Sequence, residues 1–258
     1  MNALIGDIGN TVTKICLIDI NSFTSKKIIY FNSKSFLSKN FLSNKLNKIV
    51  KKNKIYKFSL FSSVVPKYTF ALKKFLNNKY KIKLIEIKEK KINKIIKINI
   101  KNKKQVGSDR IANAVGVYKK YKSNCIVLDL GTATTFDVVT TNGVYNGGVI
   151  APGVNLSIKS LSSNADQIPI FSIKKQKKII GKDTLEALSS GFYWGYTGLI
   201  NNIILKIEKE TKKKYKIIFT GGYANLFKSS IIREYTVDKN ITLRGIAEIF
   251  KKNKRYLI

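Results

Sequence analysis

One pattern occurs twice in this chain, and it limits the available folds more than any other feature. Leu4-Ile5-Gly6-Asp7-Ile8-Gly9-Asn10-Thr11 is an apolar run that ends in Asp-x-Gly and small polar residues. Cys125-Ile126-Val127-Leu128-Asp129-Leu130-Gly131-Thr132 has the same arrangement, with its aspartate 122 positions after the first. In each copy an extended stretch follows the polar turn, Val12 to Ile20 in the first and Thr135 to Thr141 in the second. Strand, turn chemistry and strand read as a β-hairpin with a carboxylate at the end of its buried arm. Two such units predict a duplicated, two-lobed α/β protein.

The intervening segments carry the helices and remaining strands. Phe36, Leu37, Phe41, Leu42, Leu46 and Ile49 have helical spacing within residues 21–56, and Lys57 to Val65 reads as a strand. Pro66 opens a helix through Leu76, residues 82–104 are extended but lysine-laden, and Gly107 to Tyr121 is a helix entered through Ser108-Asp109. After the second hairpin come a strand from Val144 to Pro152 with a Gly-Gly turn and a helix from Gly153 to about Leu161. A helix from Lys182 or Asp183 to Gly191, a separate one from Tyr193 to about Lys212, a strand at Ile217-Ile218-Phe219 and a closing helix from Leu243 to Phe250 follow. A chain of 258 residues has room for two modest domains. No Pro-, Gly- or Ser-rich linker intervenes, so the boundary is placed by the repeat: residues 1–122 form an N-terminal lobe and residues 123–258 a C-terminal lobe.

Composition excludes several function classes. With no histidine, a general base must come from the fifteen carboxylates or from a shifted Lys, Tyr or Cys, and histidine triads and histidine-held metals are eliminated. Cys16 and Cys125 lie in apolar strand-like stretches and form neither a disulfide framework nor a zinc pattern. The longest apolar runs fall short of the ~20 residues that span a bilayer, and Asp7 comes too early for a secretory segment, so a soluble cytoplasmic protein with no membrane partner is expected. Forty-nine basic against fifteen acidic residues give a net charge of +34. Only Arg110, Arg233, Arg244 and Arg255 are arginines, whereas specific base and phosphate recognition relies on the arginine fork. Abundant Lys, Ile and Asn is the usage of an AT-rich coding sequence, so no specific nucleic-acid partner is expected.

The acidic turns carry the chemistry. In Asp7-Ile8-Gly9-Asn10-Thr11 a carboxylate ends a strand, a glycine lets main-chain N–H groups approach a phosphate, and side chains follow that can donate to it. Asp129-Leu130-Gly131-Thr132-Ala133-Thr134-Thr135 repeats this with more hydroxyls, and two such turns suit a magnesium triphosphate. Asp109, at a helix start, reads either as a cap or as an acceptor for a substrate hydroxyl proton, with Arg110 a fork for an anion. Gly147-Gly148 to Gly153 and Thr220-Gly221-Gly222 are tight turns or ligand contacts, and Asp183-Thr184 is a cap before it is a contact.

Taken in order, these motifs resemble the type III pantothenate kinases, members of the acetate-and-sugar-kinase and actin-like ATPase superfamily, over nearly the whole chain. The resemblance implies a duplicated actin-like (ribonuclease H-like) α/β fold with the active site in the interlobe cleft. It implies a kinase moving the γ-phosphoryl group of ATP to the primary hydroxyl of pantothenate, the first step of coenzyme A biosynthesis. Asp7, Ile8, Gly9, Asn10, Thr11, Val12, Thr13 and Lys14 would bind ATP, with Asp7 near magnesium (Mg2+), and Thr132 would contact phosphate. Asp109 would be the catalytic proton acceptor, and Gly107, Ser108, Asp109, Arg110 and Thr184 would bind pantothenate. Asp129 would ligate a monovalent cation, K+ or NH4+, and the molecule would be a homodimer with the pantothenate pocket close to the subunit interface. The alternative is a non-catalytic nucleotide-binding accessory or regulatory protein of the same fold. Where such kinases carry a tyrosine before the Gly-x-Asp-Arg motif and a proline shortly after it, this chain has Ile100 and Lys103. The lost hydroxyl implies weaker pantothenate binding, by about 1 kcal/mol.

Overall fold

The computed structural model describes residues 1–51, 53–89 and 94–254. The first hairpin forms where the sequence predicts it: β1 (Asn2–Ile8) and β2 (Val12–Asp19) run antiparallel with Asp7 opposite Lys14. β3 (Ser25–Asn32) adds an antiparallel edge. After α1 (Lys39–Val50) come β4 (Phe58–Ser63), α2 (Pro66–Tyr80) and β5 (Lys83–Glu86). β4 lies parallel to β1 and β5 parallel to β4, so the sheet order is β3-β2-β1-β4-β5. Leu4 and Ile8 of β1 pack with Leu42 and Leu46 of α1 and Leu72 and Leu76 of α2, the i, i+4 pairs that the spacing of those helices provides.

The second unit repeats that plan. β7 (Cys125–Leu130) and β8 (Ala133–Val139) are the second hairpin, β9 (Val144–Pro152) flanks β8, β10 (Lys216–Gly221) is parallel to β7, and β11 (Tyr235–Val237) is parallel to β10. The order β9-β8-β7-β10-β11 matches β3-β2-β1-β4-β5 strand for strand, which is the duplication at the level of topology. α4 (Val154–Asn164) follows β9, α5 (Thr184–Thr211) covers the sheet with Tyr193, Tyr196, Ile200, Ile204 and Ile207, and the short α6 (Ala224–Phe227) follows β10. A short strand, β6 (Lys97–Ile98), pairs with Val144 and Tyr145 at the start of β9.

Several expectations change. The two helices expected around Gly191 are one helix of 28 residues. Each interior glycine costs up to ~1 kcal/mol against alanine, and the buried stripe from Tyr193 to Ile207 offsets that cost. β3 and β11 are edge strands that the periodicity does not reveal, because Ser25 to Lys27 are exposed and Tyr235 to Val237 is only three residues. The extended segment 82–104 contains β5, β6 and a 3-10 turn at Lys103–Gln105, and its residues 90–93 lie outside the described residues. β9 continues through Gly147-Gly148 instead of turning there.

The contact pattern also places the units. One comprises Met1–Lys120, Gly143–Tyr145 and the chain from Asn240 onward; the other comprises Tyr121–Asn142 and Asn146–Lys239. A single cut at 122 does not describe this, because α7 (Ile241–Asn253) belongs to the first unit. Its Thr242 hydroxyl donates to Asn113 Oδ1 of α3 (Ser108–Tyr121) at 2.7 Å, and Phe250 packs edge-on against Tyr56.

Candidate active site

In the first unit the turn Gly9-Asn10-Thr11 closes with Gly9 N donating to Val12 O at 3.2 Å. Ser33, fully buried, braces it: the Ser33 hydroxyl donates to Gly9 O at 2.7 Å and meets Thr13 Oγ1 at 2.9 Å, while Ser33 N donates to Thr11 O at 2.9 Å. Among residues 7 to 14, Ile8 and Thr13 are turned inward, so their contribution to a ligand is main-chain; Asn10, Thr11 and Val12 are exposed and Asp7, Gly9 and Lys14 are half-buried. Asp7 Oδ1 accepts from the Ser62 hydroxyl at 2.5 Å.

The start of α3 lies in the same unit. Ser108 is buried and donates through Oγ to Ser63 O at 2.8 Å, which ties the helix start to the end of β4. Asp109 Oδ1 accepts from Arg110 N at 2.8 Å, and a methyl added to Gly107 would come within 2.4 Å of that same oxygen. The carboxylate is therefore folded back over Gly107, in the first turn of the helix. The Arg110 guanidinium sits 5.9 Å over the Tyr145 ring. Glu86 is a neighbour that no motif announces: burial pushes its carboxyl above the ordinary range, against the opposing hydrogen bond from Lys88 N. Ile100 is half-buried just past β6, and Lys103 is exposed on a turn capped by Asn102.

In the second unit Asp129 is half-buried and Thr132 exposed, on a turn closed by Gly131 N donating to Ala133 O at 3.1 Å. Two glycines clasp that turn. A methyl on Gly153 would lie 2.1 Å from Thr132 O, and one on Gly221 (φ +86°) would lie 2.6 Å from both Leu130 O and Asp129 Oδ1. Those glycines thus permit close main-chain approach around the turn. Asp129 is in register with Thr220 on β10 and Thr135 on β8. Thr184 is the exposed first residue of α5; Asp183 caps that helix by accepting from Glu186 N at 2.8 Å, and Glu186 Oε2 accepts from Lys182 N, the residue before the cap, at 2.8 Å.

Among the described residues no group of three or more acidic or sulfur side chains could cage a metal. A magnesium ion is usually held by one or two carboxylates plus substrate phosphates, and the single anchored carboxylate of Asp7 beside a braced, accessible turn fits that mode. Sequence reasoning missed Ser33, Ser62 and Glu86. The bonds of Ser33 and Ser62 span 24 and 55 residues, so no local motif signals them.

The type III pantothenate kinase family model matches residues 3–206. A type III pantothenate kinase from Pelagibacter ubique is 49% identical over 246 residues, covering 94% of this chain and 96% of that one. Two solved structures share the fold at low identity. A Baf family protein from Campylobacter jejuni has a TM-score of 0.62 at 23% identity, over 98% of this chain and 99% of that one. The activator of the 2-hydroxyisocaproyl-CoA dehydratase from Clostridium difficile, with bound ADPNP, has a TM-score of 0.58 at 11% identity, over 100% and 98%. With the repeated acidic turns and the aspartate at the start of α3 in place, the chain belongs to the type III pantothenate kinase family.

Proposed function

We infer that this protein transfers the γ-phosphoryl group of ATP to the primary hydroxyl of pantothenate, opening coenzyme A biosynthesis. The observation that carries this reading is Asp109, a carboxylate anchored by Arg110 N at the first turn of α3 and joined through Ser108 to the strand that also anchors Asp7. In the reaction Asp109 orients the hydroxyl and accepts its proton as the oxygen attacks. The main chain of Gly9 to Thr11 cradles the phosphates, and Thr132 contacts them from the second turn. Protein contributes position and charge neutralisation, which is most of what phosphoryl transfer needs. Bound magnesium would neutralise phosphate charge beside Asp7. Gly107, Ser108, Arg110 and Thr184 are assigned to pantothenate.

The finer parts of the reading have their own supports. Asp129 as the ligand of K+ or NH4+ is supported by its oxygen-rich surroundings, the Leu130 carbonyl and the in-register Thr220, whose buried hydroxyl has no hydrogen-bond partner among the described residues. A homodimer is supported by the exposed apolar side chains of Ile150, Leu156, Ile170, Ile179, Ile180 and Leu185 in the second unit, which a partner surface could cover. No helix among the described residues is long and apolar enough to cross a membrane, and we place the enzyme in the cytoplasm.

Coupled ADP release with and without pantothenate tests the activity. Asp109→Asn should retain ATP binding and lose at least about 100-fold in turnover, the scale of a positioned proton acceptor. An accessory protein would show no stimulation by pantothenate, and an active Asp109→Asn enzyme would remove Asp109 from its role.

A further inference from the structure

Ser62 lies on β4 in register with Asp7 on the parallel neighbour β1, and its side chain is fully buried. The next residue, Ser63, supports the opposite partner. Its carbonyl accepts from Ser108 Oγ at 2.8 Å, and its hydroxyl accepts from Thr69 Oγ1 at 2.6 Å and Val65 N at 3.1 Å. Consecutive positions at one strand end thus brace separate structures, Ser62 by its side chain and Ser63 by its carbonyl. Through Ser62 the strand holds the acid of the nucleotide turn, and through Ser63 it holds the start of the helix that presents Asp109.

The duplication supplies an internal comparison. β10 occupies in the second sheet the place of β4 in the first, and there Asp129 is in register with Thr220. A hydroxyl residue therefore stands beside the acid in both copies, each time after a fully buried phenylalanine, Phe61 in FSLFSS and Phe219 in KIIFTG, although among the described residues only the Ser62 hydroxyl is bonded to its acid. Both positions are buried to within 1% of full burial, where Val, Ile or Ala would pack without a polar cost.

We propose that Ser62 is a positioning residue for phosphoryl transfer, acting through Asp7. A carboxylate at a strand end can rotate about two side-chain torsions; a hydroxyl fixed inside the sheet, donating to one of its oxygens, selects one orientation. Magnesium demands near-ideal octahedral geometry, so the orientation of Asp7 matters more to the metal-bound nucleotide than to the fold. The proposal rests on the reading of residues 7 to 14 as the nucleotide turn.

The test compares the parent protein with Ser62→Ala and Ser62→Thr in three measurements: calorimetric binding of a non-hydrolysable ATP analogue with and without Mg2+, the Mg2+ concentration giving half-maximal pantothenate-dependent ADP release, and the Tm. Ser62→Ala is expected to weaken analogue binding about tenfold in Mg2+, the scale of one hydrogen bond to a charged group. Metal-free binding and the KM for pantothenate should stay unchanged, the half-saturating Mg2+ should rise, and Ser62→Thr should restore the parent values. Should Ser62→Ala lower the Tm yet bind the Mg2+-analogue as tightly as the parent, Ser62 is a packing residue and the proposal is wrong. If the parent shows no pantothenate-dependent ADP release, the proposed function fails, while the calorimetric comparison still decides the role of Ser62. If Ser62→Ala does not fold, Ser62→Cys, similar in size and a poor donor, takes its place with the same expected outcome.

Discussion

Gly107 shows how a single residue separates activity from stability. A methyl there meets the far end of a flexible side chain, Asp109 Oδ1 at 2.4 Å, and no main-chain atom as closely. The carboxylate can swing aside at little cost to the fold, but it then leaves the position from which it would meet the substrate hydroxyl. Gly107→Ala is therefore expected to lower turnover at least about tenfold, since small misplacements of catalytic groups are costly, with the Tm within a degree or two of the parent. A calorimetric scan beside the ADP-release assay checks both halves. The acids themselves were legible in sequence, because Asp-x-Gly at a strand end and Ser-Asp-Arg at a helix start are local patterns. Their supports were not: Ser33 and Ser62 look like ordinary strand and turn residues until the sheet brings them to Gly9 and Asp7.

Among the elements, the turn after β7 depends on its two flanking glycines. Gly221 combines a left-handed φ of +86° with main-chain contact to Leu130. Gly221→Ala should cost about 1–3 kcal/mol from strain alone and lower the Tm by roughly 5 °C or more. Gly222→Ala is the control: with open space around that position and an ordinary φ, its Tm should match the parent. Hairpins and helices with a continuous apolar stripe could be read from the sequence, as β1, β7 and α3 demonstrate. β3 could not, because lysines and serine occupy its exposed face, and α5 was cut in two by glycines that tertiary packing tolerates. Local propensity is a weak guide wherever a long buried stripe outweighs it.

For the whole molecule, the +34 charge poses a question separate from the site. Lys212, Lys213 and Lys214 crowd one exposed corner, where buried Glu208 already pairs with Arg233 Nε at 3.0 Å and Lys214 Nζ at 3.6 Å. Charge of this kind attracts any polyanion through phosphate neutralisation, but at a Debye length of about 8 Å in physiological salt the attraction between solvated groups is largely screened. Single-stranded DNA should bind at low salt without sequence preference and release as salt rises to the physiological range, measured by fluorescence anisotropy. Retention of a sequence-selective complex at physiological salt would overturn the view that the lysines are a product of coding bias.

The membership of α7 in the first unit has a consequence for how this protein is made. Ile241, Ile246, Ile249 and Phe250 are each fully buried there, and they are translated after every residue of the second unit. Domains generally fold in the order in which they leave the ribosome; here the half that emerges first must wait, with part of its apolar interior uncovered, until the half that emerges later has already been synthesised.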